Sequence, residues 1–242
     1  MNLLTIGNSF SQDATRYIHD IARAAGDYLD VINAEIGGCS LERHYRNMLG
    51  DICDYELECN GHWTNFKITL KEALLNRDWD VITIQQASHY SFRKDTYTPY
   101  IFELVAYIRK LAPKAKVLFQ QTWAYENGSD RLHNVAGYDT ADAMFADIEK
   151  SYRETAEEAK LDGIIPSGAM LLHLSKNGIP KVHRDTFHVT LGASRYALGL
   201  LWYRMLTGKP VADNTFCDFD EPVSEEEIRI IKEYVDSVTP LF

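Results

Sequence analysis

Short apolar runs alternate with helical patterns along most of this chain. The run Val81-Ile82-Thr83-Ile84 is apolar at all but one position, and such near-continuous runs are typical of a parallel strand covered on both faces. Strands of this kind are joined by right-handed crossovers that place helices on both sides of the sheet. The pattern therefore predicts a three-layer α/β/α sandwich with five strands, over residues 3–6, 29–36, 81–85, 116–121 and 163–165.

Several residues mark the ends of the helices between these strands. Gly26 suits the position after a helix, and Pro99 suits the first turn of one. Ser224 opens a Ser-x-x-Glu capping box. Helices are accordingly predicted over residues 13–25, 98–112, 138–160, 190–207 and 224–235.

Residues 51–66 interrupt this alternation. There, Asn60-Gly61 lies between two strand-like runs and predicts a type I′ hairpin turn. No linker, internal repeat or low-complexity tract divides the sequence. We therefore expect a single domain over residues 1–242 with a small hairpin insertion near 51–66.

Composition narrows the functional classes. The formal net charge of −10 would repel phosphate backbones, and no apolar run approaches the roughly 20 residues that span a bilayer. Neither nucleic acid nor a membrane is expected as a partner. The four cysteines lack C-x-x-C spacing, so no structural zinc site is expected.

The amino terminus runs from Met1 directly into the first apolar strand. It has neither the basic segment nor the long apolar segment of a secretory signal. The sequence as written therefore predicts a cytoplasmic protein. A chain already trimmed of an export signal would read the same way.

Candidate catalytic groups follow the strands, where parallel sheets collect their ligands. Ser9 lies after the first strand, and Asp185 and His188 lie three residues apart after the fifth. A serine nucleophile needs a base and a third group that orients the base, and this pair offers both. Taken alone, Ser9 is better explained as a helix cap and His188 as a structural histidine.

Groups that could stabilise an oxyanion follow the second and third strands. Gly37-Gly38 can present backbone N–H groups without side-chain obstruction, and it also suits a tight turn. Gln86 and His89 carry polar donors at the end of the third strand. A buried glutamine there needs hydrogen bonds, whether its role is structural or catalytic.

Together these segments resemble the SGNH (GDSL-like) hydrolase superfamily, and within it a bacterial acetylesterase-like branch. The resemblance spans nearly the whole chain. It is carried by Ile6-Gly7-Asn8-Ser9-Phe10-Ser11, Ile36-Gly37-Gly38-Cys39-Ser40-Leu41-Glu42-Arg43, residues 79–89, Gln121-Thr122-Trp123-Ala124-Tyr125 and Asp185-x-x-His188.

The resemblance implies a flavodoxin-like sheet of five parallel strands in the order 2-1-3-4-5. It also implies that Ser9 is the nucleophile, His188 the base and Asp185 the group that orients it. The N–H groups of Ser9 and Gly38 would bind the oxyanion, and no cofactor or metal would take part.

The third oxyanion donor departs from the family pattern. The usual Gly-x-Asn-Asp motif after the third strand is absent from this sequence. Gln86, whose carboxamide is chemically closest to asparagine, is the expected donor, with His89 as the neighbouring alternative.

The resemblance further implies short acyl esters as substrates, with acetylated carbohydrate as the expected class. His89, Trp123 and Tyr125 are expected to contact the substrate, and Trp63 and Tyr90 lie near the same rim. Aromatic faces there could stack on a sugar ring, although ordinary packing explains each of them as well.

The main alternative is a flavodoxin-like module that binds a phosphate or nucleotide and has no hydrolase activity. In that case Ser9, Ser11 and Thr15 would cradle a phosphate at the start of the first helix. This hypothesis leaves Asp185 and His188 without a role. An α/β-hydrolase is disfavoured because no Gly-x-Ser-x-Gly elbow occurs in mid-chain.

Overall fold

A seven-stranded, mostly parallel sheet lies at the centre of the molecule, flanked by helices on both faces. The computed structural model describes residues 1–242. Its strand order is β4-β3-β2-β1-β5-β6-β7. The strands are β1 (Asn2–Gly7), β2 (Asp30–Glu35), β3 (Tyr55–Cys59), β4 (His62–Ile68), β5 (Val81–Ile84), β6 (Lys116–Gln120) and β7 (Gly163–Ile165).

The five predicted strands are the parallel part of this sheet. β1 pairs with β2 and β5, and β6 pairs with β5 and β7, all in parallel. Counted along the chain, these strands stand in the order 2-1-3-4-5. The predicted fold class is therefore confirmed.

The hairpin around Asn60-Gly61 adds two antiparallel strands to one edge of the sheet. Both turn residues have positive φ, 52° and 80°, as a type I′ turn requires. β3 pairs with β2, so the hairpin continues the main sheet over residues 55–68. The sheet consequently has two more strands than the parallel pattern predicted.

Nine helices cover the sheet, and buried apolar side chains form one core on each face. No helix is both long enough and apolar enough to cross a bilayer. The helices are α1 (Ser9–Thr15), α2 (Ile18–Ala24), α3 (Leu41–Gly50), α4 (Leu70–Leu75), α5 (Tyr100–Leu111), α6 (Ala141–Glu158), α7 (Ser167–Lys176), α8 (Ala193–Thr207) and α9 (Glu225–Ser237).

The helix predicted over residues 13–25 is two helices, and the first begins four residues earlier. α1 ends before Arg16, whose carbonyl oxygen packs against the hairpin turn: a Cβ on Gly61 would lie 2.2 Å from it. The Tyr17 hydroxyl donates a hydrogen bond to the Leu191 carbonyl, 2.6 Å away. These tertiary contacts fix the break, and sequence periodicity does not report them.

One buried acidic group lies at the end of β2. Glu35 is 6 % exposed, and it sits opposite Glu56 in the antiparallel pairing with β3. Burial, followed by repulsion from Glu58 and Glu56, raises the pKa of Glu35 to about 7, against the opposing effect of Arg43. The folded protein therefore binds a proton at Glu35 more tightly than the unfolded chain does.

This shift predicts a pH-dependent stability. As pH rises from about 4.5 to about 7, the unfolded chain releases the Glu35 proton while the folded protein keeps it. The free energy of unfolding should therefore fall by about 3 kcal/mol over this range. Glu35→Gln should raise the free energy of unfolding at pH 8 and change it much less at pH 4, measured by urea denaturation. Glu149→Gln, on an exposed part of α6, is the control. Equal effects of Glu35→Gln at both pH values would contradict the assignment.

Candidate active site

Ser9 lies at the turn from β1 into α1 and is the first residue of that helix. The helix cap is Asn8, whose side-chain oxygen accepts a hydrogen bond from the Phe10 N–H at 3.0 Å. Because the cap is provided by Asn8, the Ser9 hydroxyl is left for another partner.

The turn that carries Ser9 is tight and tied to the next loop. A Cβ on Gly7 would lie 2.5 Å from the Ser11 hydroxyl oxygen, so the position requires glycine. The Asn8 amide donates a hydrogen bond to the Cys39 carbonyl at 3.0 Å. The loops after β1 and β2 are thus held in a fixed relation.

Asp185 and His188 approach Ser9 from a loop between α7 and α8. The His188 Nε2 atom lies 2.9 Å from the Ser9 Oγ, and the His188 Nδ1 atom lies 2.7 Å from the Asp185 Oδ2. The structure therefore brings the three predicted residues into one hydrogen-bonded chain, although Ser9 is 179 positions from His188.

The second oxygen of the Asp185 carboxylate is held by the backbone. Oδ1 accepts the N–H groups of Phe187 and His188 at 2.9 and 2.8 Å. Partial burial acts to raise the pKa of Asp185, but these hydrogen bonds and the one with the His188 ring lower it to about 2. The carboxylate is therefore ionised at neutral pH.

The loop that carries Asp185 and His188 is closed on itself and anchored to α1. The Arg184 N–H donates to the His188 carbonyl at 2.9 Å. The Arg184 guanidinium donates to both oxygens of the fully buried Asp13, at 2.9 and 3.1 Å. Since Asp13 is on the same helix as Ser9, this ion pair fixes the position of the loop relative to the nucleophile.

Trp123 and Tyr125 support this loop from the protein interior. Trp123 is 1 % exposed, stacks on Phe10 with ring centroids 3.9 Å apart, and donates its ring N–H to the Phe187 carbonyl at 2.7 Å. Tyr125 is fully buried, with its hydroxyl 3.1 Å from that of Ser88. The expectation that Trp123 and Tyr125 stack on substrate is therefore wrong.

A pocket of about 380 Å³ opens above the Ser9 hydroxyl. It takes residues from the loops after β1, β2, β5 and β6 and from the Asp185 loop. The lining residues are Asn8, Ser9, Phe10, Gly37, Gly38, Ser88, His89, Arg131, Phe187 and His188.

Gly37 and Gly38 form a turn at one side of this pocket. The Cys39 N–H donates to the Ile36 carbonyl at 3.0 Å, and Gly38 has a φ of +63°, which favours glycine. The Gly38 N–H has no acceptor within the chain. No atom lies within 4 Å of a Cβ built on Gly38, so the space beside it is open.

Gln86 does not reach the pocket. Its side chain is fully buried; its oxygen accepts the Leu41 and Ala87 N–H groups, and its nitrogen donates to the Thr96 carbonyl at 3.1 Å. The prediction of Gln86 as the third oxyanion donor is therefore wrong. Gln86 instead satisfies the backbone around it, which is the structural alternative for a buried glutamine.

His89, the neighbouring candidate, does line the pocket. It is half-buried, and burial together with the charge of Arg131 lowers the pKa of its imidazole. A neutral imidazole keeps one N–H donor. The two outer aromatic candidates, Trp63 and Tyr90, do not line the pocket.

The arrangement also contradicts a phosphate cradle at the start of α1. The hydroxyl groups of Ser11 and Thr15 are buried and donate to the carbonyls of Asn8 and Ser11, at 2.7 and 2.9 Å. Neither hydroxyl is therefore free to donate to a phosphate.

Sequence reasoning missed Arg131. It begins a short π-helical segment, Arg131–Ala136, in the connection between β6 and α6. No motif surrounds it, and only the folded loops bring it to the pocket.

Comparison with known proteins places the chain in a family. The model of the family described as Domain of unknown function (DUF4886) matches residues 2–235. The chain belongs to the DUF4886 family. No protein of curated function matches it.

Solved structures similar to this DUF4886 protein share its fold. A DUF4886 family protein from Bacteroides uniformis has 30% identity and a TM-score of 0.88, over 98% of this chain and 93% of that one. A candidate SGNH hydrolase from Slackia heliotrinireducens has 19% identity and a TM-score of 0.61, over 85% and 98%. An acetylxylan esterase from Geobacillus stearothermophilus has 16% identity and a TM-score of 0.53, over 84% and 92%. The fold is therefore that of SGNH hydrolases.

Proposed function

We propose that the DUF4886 protein is a serine esterase that hydrolyses short acyl esters through an acyl-enzyme on Ser9. The observation that carries this proposal is the hydrogen-bonded chain from Ser9 Oγ to His188 Nε2 and from His188 Nδ1 to Asp185, at 2.9 and 2.7 Å. It ends in an open pocket. A nucleophile, a base and an orienting carboxylate in this order are what acyl transfer requires.

In the first step, the Ser9 oxygen attacks the ester carbonyl carbon while its proton moves to His188 Nε2. The ionised Asp185 carboxylate holds the Nδ1–H of the ring and stabilises the imidazolium that forms. The His188 proton then passes to the alcohol oxygen as the C–O bond breaks. The alcohol leaves, and the acyl group stays on Ser9.

In the second step, water attacks the acyl-enzyme while giving a proton to His188. Collapse of this second tetrahedral intermediate returns the proton to the Ser9 oxygen and releases the acid. All the proton transfers pass through one nitrogen, and the reaction needs no cofactor.

The negative oxygen of each tetrahedral intermediate needs hydrogen-bond donors. The N–H of Gly38 is without an acceptor in the chain, and Gly38 lines the pocket. We assign it, with the N–H of Ser9, to the oxyanion, and His89 as the third donor in place of Gln86. One such donor typically contributes about 2.7–4 kcal/mol to transition-state stabilisation.

Short acyl groups, acetyl above all, are the proposed acyl part of the substrate, and an acetylated carbohydrate is the proposed substrate class. The shared fold with an acetylxylan esterase supports this class. The acetylesterase-like branch of the superfamily is proposed on the same grounds.

A fluorophosphonate probe tests the proposal directly. Attack by Ser9 should displace fluoride and leave one phosphonyl group on its oxygen, identified by mass spectrometry of the digested protein. Ser237→Ala, on the exposed end of α9, should label like the parent protein. A protein that neither reacts with the probe nor releases acetate from an aryl acetate would overturn the proposal.

A further inference from the structure

Arg131 is a cation without a counter-ion in the pocket above Ser9. Its guanidinium makes no salt bridge and donates no hydrogen bond to another residue of the chain. The pocket lining contains no aspartate or glutamate. In a protein of net charge −10, an arginine that faces a pocket without any carboxylate partner calls for an explanation.

Aromatic stacking holds Arg131 in place while its N–H groups stay free. The guanidinium carbon lies 3.7 Å from the ring centroid of Phe187 and 5.4 Å from that of Tyr125. Stacking of this kind fixes the plane of the group but uses none of its five donors. The guanidinium N–H groups are thus left free to bind a planar or tetrahedral anion.

The position of Arg131 indicates which part of an ester it would meet. Phe187 lies against His188, with ring centroids 3.8 Å apart, so Arg131 is on the His188 side of the pocket. His188 gives its proton to the leaving oxygen, which places the alcohol on that side. The oxyanion donor Gly38 belongs to the loop after β2 and Arg131 to the loop after β6.

We infer that Arg131 binds an anionic group, such as a carboxylate, on the alcohol part of the ester, so that the preferred substrates are short acyl esters of acidic alcohols. Acidic sugars are one such class. This inference rests on the proposed function. Arginine binds carboxylate, phosphate and sulfate by paired N–H hydrogen bonds. The expected selectivity is therefore for the charge and shape of the anionic group.

The test compares two acetate esters that differ in charge and little in shape, 4-acetoxybenzoate and 4-acetoxybenzamide. The ratio of their kcat/KM values is measured for the parent protein and for each variant, so that intrinsic reactivity cancels. Arg131→Gln should lower the ratio of acid to amide by roughly 10- to 100-fold, the usual contribution of a charged hydrogen bond. Arg131→Lys, which keeps the charge but not the fork, should lower it less.

Two controls accompany this measurement. Arg153→Gln makes the same charge change on an exposed position of α6 and should leave the ratio unaltered. Raising the salt concentration should reduce the preference of the parent protein for the acid, because screening weakens charge pairing. An equal ratio in the parent protein and Arg131→Gln would overturn the inference.

A second pair of esters locates the anion. Mono-4-nitrophenyl adipate carries a carboxylate on the acyl side, and 4-nitrophenyl hexanoate lacks it. Their ratio should be insensitive to Arg131→Gln. If this pair responds and the benzoate pair does not, the assignment to the alcohol side is wrong.

Binding separates this inference from the proposed function. Calorimetry on Ser9→Ala should show that 4-hydroxybenzoate, the expected alcohol product, binds more tightly than 4-hydroxybenzamide, and that adding Arg131→Gln removes the difference. Absence of hydrolysis of both 4-acetoxybenzoate and 4-acetoxybenzamide by the parent protein would refute the esterase while leaving this binding result intact. Equal binding of the two products would refute the role of Arg131 alone.

Discussion

Ser9→Ala should lower kcat for 4-nitrophenyl acetate by roughly 10⁴- to 10⁶-fold, the range in which loss of a serine nucleophile is usually measured. The variant removes the atom that forms the acyl-enzyme, while water and the remaining oxyanion donors give only residual catalysis. Release of nitrophenol with substrate in excess over purified enzyme, corrected for spontaneous hydrolysis, provides the measurement.

The same substitution should leave the fold intact. The side chain of Asn8, and not that of Ser9, caps α1, so Ser9→Ala removes only the hydrogen bond to His188. The thermal unfolding midpoint should therefore stay within a few degrees of that of the parent protein. Turnover in Ser9→Ala close to that of Ser237→Ala would show that Ser9 is not the nucleophile.

Asp185→Asn should lower kcat by about 10⁴-fold at neutral pH, the loss seen when an orienting aspartate becomes an amide. The new side chain would present an N–H₂ group to His188 Nδ1 and favour the tautomer that carries its proton on Nε2. That nitrogen could no longer accept the Ser9 proton. The measurement is kcat across pH for the variant and the parent.

The pH dependence sharpens this second result. Because the pKa of Asp185 is lowered to about 2, its carboxylate is ionised throughout the range above pH 4, and acid inactivation of the parent in that range must have another source. Asp213→Asn, on an exposed loop, is the matched control and should keep normal activity. A near-normal rate for Asp185→Asn would mean that another group orients His188.

The parallel sheet was predictable because its strands are buried on both faces. Runs such as 81–84 are almost entirely apolar and buried at every position, and this pattern distinguishes them from surface strands, in which apolar and polar residues alternate. Ser9, Asp185 and His188 could be selected because each follows a strand or lies in a loop at the same edge of the sheet. Their hydrogen bonds depend on the placement of that loop, which only the structure shows.

The errors involve side chains whose partners are distant in sequence. Gln86 lies at a strand end, as an oxyanion donor would, but Thr96 and Leu41 bind its carboxamide. Trp123 lies near the rim in sequence, but the ring of Phe10 covers it. In each case the residue type could be used for prediction, but the direction in which the side chain points could not, because that direction depends on packing against other elements.

Arg131 illustrates the opposite error, a residue that carries no local signal. Arginine in a polar loop is ordinarily solvated, and only its stacking on Phe187 beside the pocket distinguishes it. No aspartate or glutamate lines the pocket beside Arg131. This absence depends on which loops the fold brings together, so the sequence does not show it.

The 179 positions between Ser9 and His188 have a consequence for synthesis of the protein. The nucleophile is translated first, and the base follows 179 residues later. The growing chain therefore carries Ser9 without its partner over that interval, and α8, which packs on α1 and α2, is made later still. A product that ends before His188 would hold the serine but lack the base, so the proposed esterase activity could not arise before that residue has been translated.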